Sequence, residues 1–252
     1  MRQTSSSIPL ITDFRTALSF LTLVPCAPKT FKEDGLARSM IFFPVVGFLI
    51  ALAALGIFSA AQIYFPHRVA VLALLAVPVL LSGGLHLDGL ADFCDGFGGG
   101  KNKEDILRIM KDPRAGSFGV IGTALVLIAK FELLAALPEP KFFILALGAS
   151  RGMQVVLSFY HPYAGSRGLA SSVAEKLTYR ELAGAAIFLL PAFVWAGFQG
   201  LAAAAVWIAF AFIFGAYAQR KIGGITGDVL GAASEFSEIL VLLCLAAGGA
   251  RV

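Results

Sequence analysis

Seven apolar stretches of about 20 residues, each long enough to cross a lipid bilayer, dominate this 252-residue chain. They run Ile41–Ala61, Val69–Leu87, Phe118–Leu137, Phe142–Tyr160, Leu182–Phe198, Leu201–Ala218 and Val229–Gly249. In hydrocarbon, every backbone N–H and C=O needs an internal partner, so such segments are helices. Composition agrees: 58% of residues are hydrophobic and 14% charged, against about 25% charged in soluble domains. The expected fold is all-α: a polytopic membrane helical bundle of about seven transmembrane helices, one integral-membrane domain over 1–252. Leu10–Pro25 is apolar but carries Asp13 and Arg15, so it reads as an N-terminal interfacial helix. Only Gln199–Gly200 separates the fifth and sixth stretches, which predicts a helical hairpin. No cleavable leader pattern is evident in the polar first residues.

The distribution of the 20 lysines and arginines orients the chain. With the N-terminus in the cytoplasm, the inner segments hold Arg2, Arg15, Lys29, Lys32 and Arg38, then Lys101, Lys103, Arg108, Lys111 and Arg114. Arg167, Lys176, Arg180, Arg220 and Lys221 join them, while the outer loops hold only Arg68, Lys141 and Arg251. The net charge of +4 follows from this asymmetry and calls for no nucleic acid partner. Cys26, Cys94 and Cys244 are dispersed and read as reduced. The polar chemistry is expected to gather on the cytoplasmic face of the membrane.

That chemistry starts in "GGLHLDGLADFCDGFGGG", Gly83–Gly100. Asp88, Asp92 and Asp95 stand at i, i+4 and i+7, within roughly 60° of one helical face. Three carboxylates so placed repel one another, and a divalent cation relieves the repulsion. Oxygen donors suit Mg²⁺, with Mn²⁺ as the alternative. A solvated helix end would explain the aspartates too, but Leu85, Leu87, Leu90, Phe93 and Phe97 on the other faces expect burial. His86 joins the stripe only if the backbone unwinds near Gly83–Gly84; otherwise it packs elsewhere.

A second acidic helix follows "GGITGD", Gly223–Asp228. Asp228 and Glu235 are two turns apart on one face and extend the candidate metal donors; Thr226 is placed to cap the helix and meet phosphate oxygens. Glu238 follows one turn after Glu235. Between the acidic helices, Asn102 can cap a short amphipathic helix, with Asp105 closing the box. In "KDPRAGSFG", Lys111 and Arg114 are candidate phosphate-binding cations. Asp112 is either a further metal ligand or the residue that orients Arg114. Arg151 lies midway along a span and is a candidate for holding an anionic substrate. Lys130 and Glu132 point to different sides of their helix.

"GGLHLDGLADFCDGFGGG", "IMKDPRAGSFGVIG" and "GGITGDVLGAASE", preceded by "FPVVGFLIA", together resemble the cobalamin-5'-phosphate synthase (adenosylcobinamide-GDP ribazoletransferase) family over nearly the whole chain. The resemblance implies a Mg²⁺-dependent bacterial inner-membrane enzyme. It would join adenosylcobinamide-GDP to α-ribazole or its 5'-phosphate and release GMP. Asp88 and Asp92, with Asp95, would hold metal against the diphosphate; Arg114 or Lys111 would bind the same oxygens; a carboxylate or His86 would take the hydroxyl proton. "DGLAD" also echoes the CDP-alcohol phosphotransferases, an analogy of site alone. Another membrane phosphotransferase or a prenyltransferase stays open. A cation transporter is the rival of a different class, although its site would be expected nearer the midplane. Oligomeric state, including a homo-oligomer, is open at this level.

Overall fold

The computed structural model describes residues 9–28, 35–164 and 176–247. Arg2, Lys29, Lys32, Arg167 and Arg251, which enter the charge asymmetry, lie outside the described residues. The described chain is built from helices α1 (Pro9–Leu21), α2 (Gly35–Ser39), α3 (Phe43–Ala61), α4 (His67–Ser82), α5 (Leu85–Gly99) and α6 (Lys103–Ile109). Helices α7 (Ser117–Ala135), α8 (Phe143–Tyr160), α9 (Tyr179–Trp195), α10 (Gly197–Ile222) and α11 (Gly227–Ala247) follow. Short 3₁₀ turns at Met40–Phe42 and Pro140–Phe142 lead into α3 and α8.

Five helical stretches are long and apolar enough to cross a membrane, or six if the bent α4–α5 pair is one span. The expected count of about seven crossings is therefore not reached by length and composition, and two of the expected stretches differ from it. The stretch Val69–Leu87 is not one rod: Gly83 and Gly84 take φ of +62° and +75°, and α4 and α5 meet at 88°. Left-handed backbone there costs a glycine little and any other residue more, so the "GG" pair is where the helix turns. The helix that takes up most of the Leu182–Phe198 stretch, α9, is only 17 residues long. Its turn into α10 falls at Ala196–Gly197, where Gly197 has φ +65°, and Gln199–Gly200 lie inside α10.

Helix α8 occupies the middle of the bundle, with 78% of its apolar window buried, and packs against α3, α9, α10 and α11. Glycines make the closest approach possible: a methyl on Gly47 of α3 would lie 2.6 Å from the Leu147 carbonyl oxygen of α8. Trp207 of α10 donates its indole N–H to the Ala149 carbonyl of α8 at 3.1 Å. By contrast α7 is only 22% buried over its apolar window, which leaves most of its surface for lipid.

The 13-residue α1 is too short to cross a bilayer, since it spans about 20 Å. It lies against α2 and α3, tied by Arg38 to Asp13 at 3.3 Å. After it, Leu23 N–H donates to the Leu81 carbonyl at 2.8 Å, and the Leu23 side chain packs at the Gly83 turn. The N-terminal segment thus braces the α4–α5 bend.

Candidate active site at the crossing of two acidic helices

Helices α5 and α11 cross on a pair of glycines. A methyl on Gly89 would sit 3.0 Å from Asp228 Cα, and one on Gly231 would sit 3.2 Å from the His86 carbonyl. Neither position has room for a larger side chain, so the two backbones touch. The crossing sets Asp88, next to Gly89, beside Asp228, three residues before Gly231. Phe93 fixes the rotation of α5, stacking on Phe97 and lying against Phe214 of α10 and Phe236 of α11. Thr226 caps α11, its hydroxyl accepting from Val229 N–H at 3.3 Å and donating to Asp228 at 3.5 Å.

A cavity of about 200 Å³ opens at this crossing. Asp88, Asp228, His86, Gln154, Ser158 and Tyr163 supply its polar wall. Phe20 of α1, Leu36 of α2, Met40 and Phe43 supply the apolar wall opposite. Asp88 is exposed, Asp228 and Asp92 half-buried, and Asp92 feels the repulsion of Asp228, Asp88 and Asp95. Tyr163 is brought in by a parallel bridge to Ile225, with Ile225 N–H donating to the Pro162 carbonyl at 2.9 Å and Ala164 N–H to the Ile225 carbonyl at 2.8 Å. Burial, and then the nearby Asp228 carboxylate, push the Tyr163 phenol above its ordinary value, so it stays a neutral hydroxyl near neutral pH.

Not every carboxylate of the expected stripe faces this cavity. Asp95 is buried and turned toward α7, where its oxygens accept the N–H groups of Gly116 at 2.6 Å and Gly119 at 2.8 Å. It caps α7 from another helix, in place of the side chain that Gly116, the N-cap residue, lacks. A methyl on Gly116 or Gly119 would overlap the Asp95 carboxylate, which accounts for both glycines of "RAGSFG". Asp95 is committed to the helix end, and the expectation that it shares a metal with Asp88 has to yield to that geometry.

Glu235 departs further. Rather than joining Asp228, its carboxylate takes the buried Lys130 ammonium at 2.6 Å, and Glu238 lies 2.9 Å from the same nitrogen. Asp228 and Glu235 do share a helical face, but α7 inserts Lys130 at the deeper position. Arg151 is equally deep, 2% exposed, with Nη1 donating to Ser150 Oγ at 3.1 Å; it lines a second, smaller cavity and not the one at the crossing. His86 lines both cavities, and Gln154 Nε2 lies 2.9 Å from its Nε2.

The loop cations stand outside the cavity wall. Arg114 is gripped by Asp112 through Nε at 2.9 Å and Nη2 at 2.8 Å, while its own N–H donates to Asp112 Oδ1 at 3.1 Å. Asp112 therefore orients Arg114, and those hydrogen bonds hold its carboxyl down at about 2. Lys111 is exposed. Asn102 caps α6 by accepting from Asp105 N–H at 2.9 Å, but the Asp105 carboxylate pairs with Arg108 and does not close a box.

The sequence reading missed Gln154, Ser158 and Tyr163. A signal existed for the first two: Arg151, Gln154 and Ser158 stand at i, i+3 and i+7 on α8, a polar stripe on a helix buried all round. Tyr163 carries no such signal, because only the bridge to Ile225 brings it in.

A multi-pass helical protein that places carboxylates from two helices at one wall of a cavity belongs to the class of membrane-embedded proteins with an acidic site. Comparison with known proteins narrows that class. Residues 13–246 match the family model described as CobS, cobalamin-5-phosphate synthase, and the chain belongs to this family. Among its relatives are the adenosylcobinamide-GDP ribazoletransferases of Ralstonia nicotianae and Geotalea daltonii. The first is 41% identical over 240 residues, 92% of this chain and 93% of the relative. The second is 39% identical over 240 residues, 93% of this chain and 97% of the relative. The protein of the same name from Escherichia coli O17:K52:H18 is 37% identical over 248 residues, 92% and 98% of the two chains. No solved structure matches.

Proposed function

We infer that the chain is an adenosylcobinamide-GDP ribazoletransferase, working as one integral-membrane domain. The bond made is from the 3'-hydroxyl oxygen of α-ribazole, or of its 5'-phosphate, to the phosphorus attached to cobinamide. The bond broken is the phosphoanhydride, and GMP leaves. The observation that carries the reading of the site is the Gly89–Gly231 crossing, which sets Asp88 of α5 against Asp228 of α11 at one cavity wall.

The donor set fits a Mg²⁺ ion of the kind that substrate phosphates complete. Asp88, Asp228 and Asp92 are carboxylates of two helices that repel one another. Among the described residues, no three His, Cys, Asp or Glu side chains are gathered as a ready-made metal site. Mg²⁺ commonly takes only one or two carboxylates, with waters and substrate phosphates filling its octahedron. Asp88 and Asp228 would hold it, with Asp92 behind them. Bound there, the ion would neutralise the diphosphate and the charge that develops as GMP departs.

The remaining work falls to this chain's own side chains. The carboxylate of the trio left out of metal binding receives the hydroxyl proton. His86 is less suited to that role than it looked, since its Nε2 already faces Gln154. Ser158 and Tyr163 offer hydroxyls, and Phe20 and Phe43 an apolar wall, for a flat heterocyclic base. Arg114, splayed by Asp112 in a fixed plane, meets phosphate from the loop side. The lysine and arginine asymmetry supports a cytoplasmic N-terminus and a cytoplasmic site in a bacterial inner membrane.

The direct test is GMP release from adenosylcobinamide-GDP and α-ribazole by the purified protein in detergent. Activity should need Mg²⁺ and vanish with EDTA. Asp88→Asn and Asp228→Asn should each lower kcat by at least about a hundredfold with unchanged elution volume. Wild-type rates from both variants would remove this site from the reaction.

A further inference from the structure

Behind the active-site wall, α4, α5, α7, α8 and α11 enclose a second cavity of about 20 Å³. Its polar lining includes His86, Lys130, Arg151, Glu235 and Glu238, each no more than 5% exposed. Two of these residues carry a buried nitrogen with no hydrogen-bond partner among the described residues, His86 Nδ1 and Arg151 Nε. Glu238 Oε2 lies 2.9 Å from Lys130 Nζ as an ion pair and keeps a lone pair for a further donor. Each such nitrogen costs about 1–3 kcal/mol if left unsatisfied, so two beside one small space call for an occupant.

The donor and acceptor roles follow from a chain of hydrogen bonds. The Ser150 carbonyl can only accept, and it takes the Ser234 hydroxyl proton at 2.9 Å. Ser234 Oγ must then accept from Gln154, 2.9 Å away, so the Gln154 atom facing it is the amide nitrogen. That nitrogen, having no lone pair to offer, also lies 2.9 Å from His86 Nε2, which must therefore be the acceptor. A neutral imidazole that accepts at Nε2 carries its proton on Nδ1. The two unpartnered nitrogens are thus donors, His86 Nδ1–H and Arg151 Nε–H, and Glu238 Oε2 is a carboxylate acceptor in the same lining.

We propose that this cavity is a binding site for one water molecule that ties His86, Arg151 and Glu238 together. Water has two lone pairs for the two N–H donors and a proton for the carboxylate. The volume is about that of a single molecule, for which roughly 10–15 Å³ suffices. A cation is excluded by the two N–H donors. An anion has no call to enter, because Lys130 and Arg151 are already balanced by Glu235 and Glu238. The site clamps His86 from both ring nitrogens and so fixes the first turn of α5, two residues before Asp88. His86 is thereby a positioning residue. The proposal does not depend on the transferase reading.

Solid-state NMR of ¹⁵N-histidine protein in lipid bilayers tests it. The double variant His67→Gln/His161→Gln leaves His86 as the lone histidine. The expected spectrum has a protonated Nδ1, a bare Nε2 and a cross-peak from Nδ1–H to bound water. In the Glu238→Leu background the water cross-peak should be lost while Nε2 stays bare. A proton on Nε2, a charged ring, an Nδ1–H without water contact, or a water contact that survives Glu238→Leu would each overturn the proposal. If Glu238→Leu fails to fold, the lone-histidine spectrum alone decides. A merely structural histidine would show no tautomer locked to this water.

Discussion

Asp88 and Asp95 lie two turns apart on one helix and do different work. Asp88 is exposed at the cavity wall, whereas both oxygens of Asp95 are spent on the N–H groups of Gly116 and Gly119. Charge-assisted hydrogen bonds are worth about 1.5–3 kcal/mol each. Asp95→Ala should therefore lower stability by about 3 kcal/mol, read as a fall in thermal midpoint in detergent. Asp88→Ala should leave the midpoint within about 0.5 kcal/mol of the parent, because it removes a repelling charge at the surface. The reverse ranking would mean the two aspartates are assigned the wrong way round. At Asp112 the folded carboxyl is held at about 2 by Arg114. A depressed value means that the pair is intact above the unfolded carboxylate's pKa and is lost only as pH falls through about 2. GMP release between pH 5 and 9 should accordingly show no step that Asp112→Asn removes; such a step would contradict a permanently ionised pair. The residue types of the site were legible in the sequence. Which oxygen each aspartate spends on backbone was not, because that depends on where α7 begins in space.

Among the helices, the contact between α5 and α11 matters most, and it is made by two hydrogen atoms where side chains would otherwise be. A Cβ on Gly89 or Gly231 already meets backbone at 3.0–3.2 Å. Gly89→Val and Gly231→Val should push the helices apart, separating Asp88 from Asp228. The expected result is insertion into the membrane at normal levels, with GMP release reduced by at least about a hundredfold, in keeping with what a misplacement of about 1 Å costs. Activity near the parent's would show that the crossing does not assemble the site. The 88° turn between α4 and α5 is another feature of element scale. It turns the acidic helix nearly at right angles to α4. The "GG" at Gly83–Gly84 gave notice that a break was possible, but hydropathy treated the residues on both sides as one apolar rod. Periodicity records which residues are apolar and is blind to the direction of the next helix.

Across the whole molecule, polar groups are sorted by depth. The open cavity with its aspartates lies at one end of the α5–α11 contact, and the Lys130–Glu235–Glu238 cluster lies behind it. Removing one member of a buried ion pair strands the others, at a cost of about 3–5 kcal/mol. Lys130→Met should therefore lower the thermal midpoint far more than Arg68→Met, whose pairing with Glu132 is exposed; equal effects would argue that Lys130 is hydrated. Orientation is testable on the same scale. In a chain lacking Cys26, Cys94 and Cys244, a cysteine replacing Lys103 should react with an impermeant maleimide only from the cytoplasmic side, and one replacing Lys141 only from outside. The opposite pattern would invert the topology. The sequence alone fixed the class of molecule, since stretches of apolar residues this long have no stable home but a bilayer and no stable form there but a helix. It also supplied the carboxylates, the glycines and the cations, because residue chemistry and spacing do not depend on the rest of the fold. Only the tertiary structure decided that Asp228 meets Asp88, that Glu235 meets Lys130 instead, and that Gln154 and Tyr163 reach the cavity. Those pairings are set by helix crossings and by the α4–α5 turn, and contacts between residues far apart in a chain are fixed by packing, which no local pattern encodes.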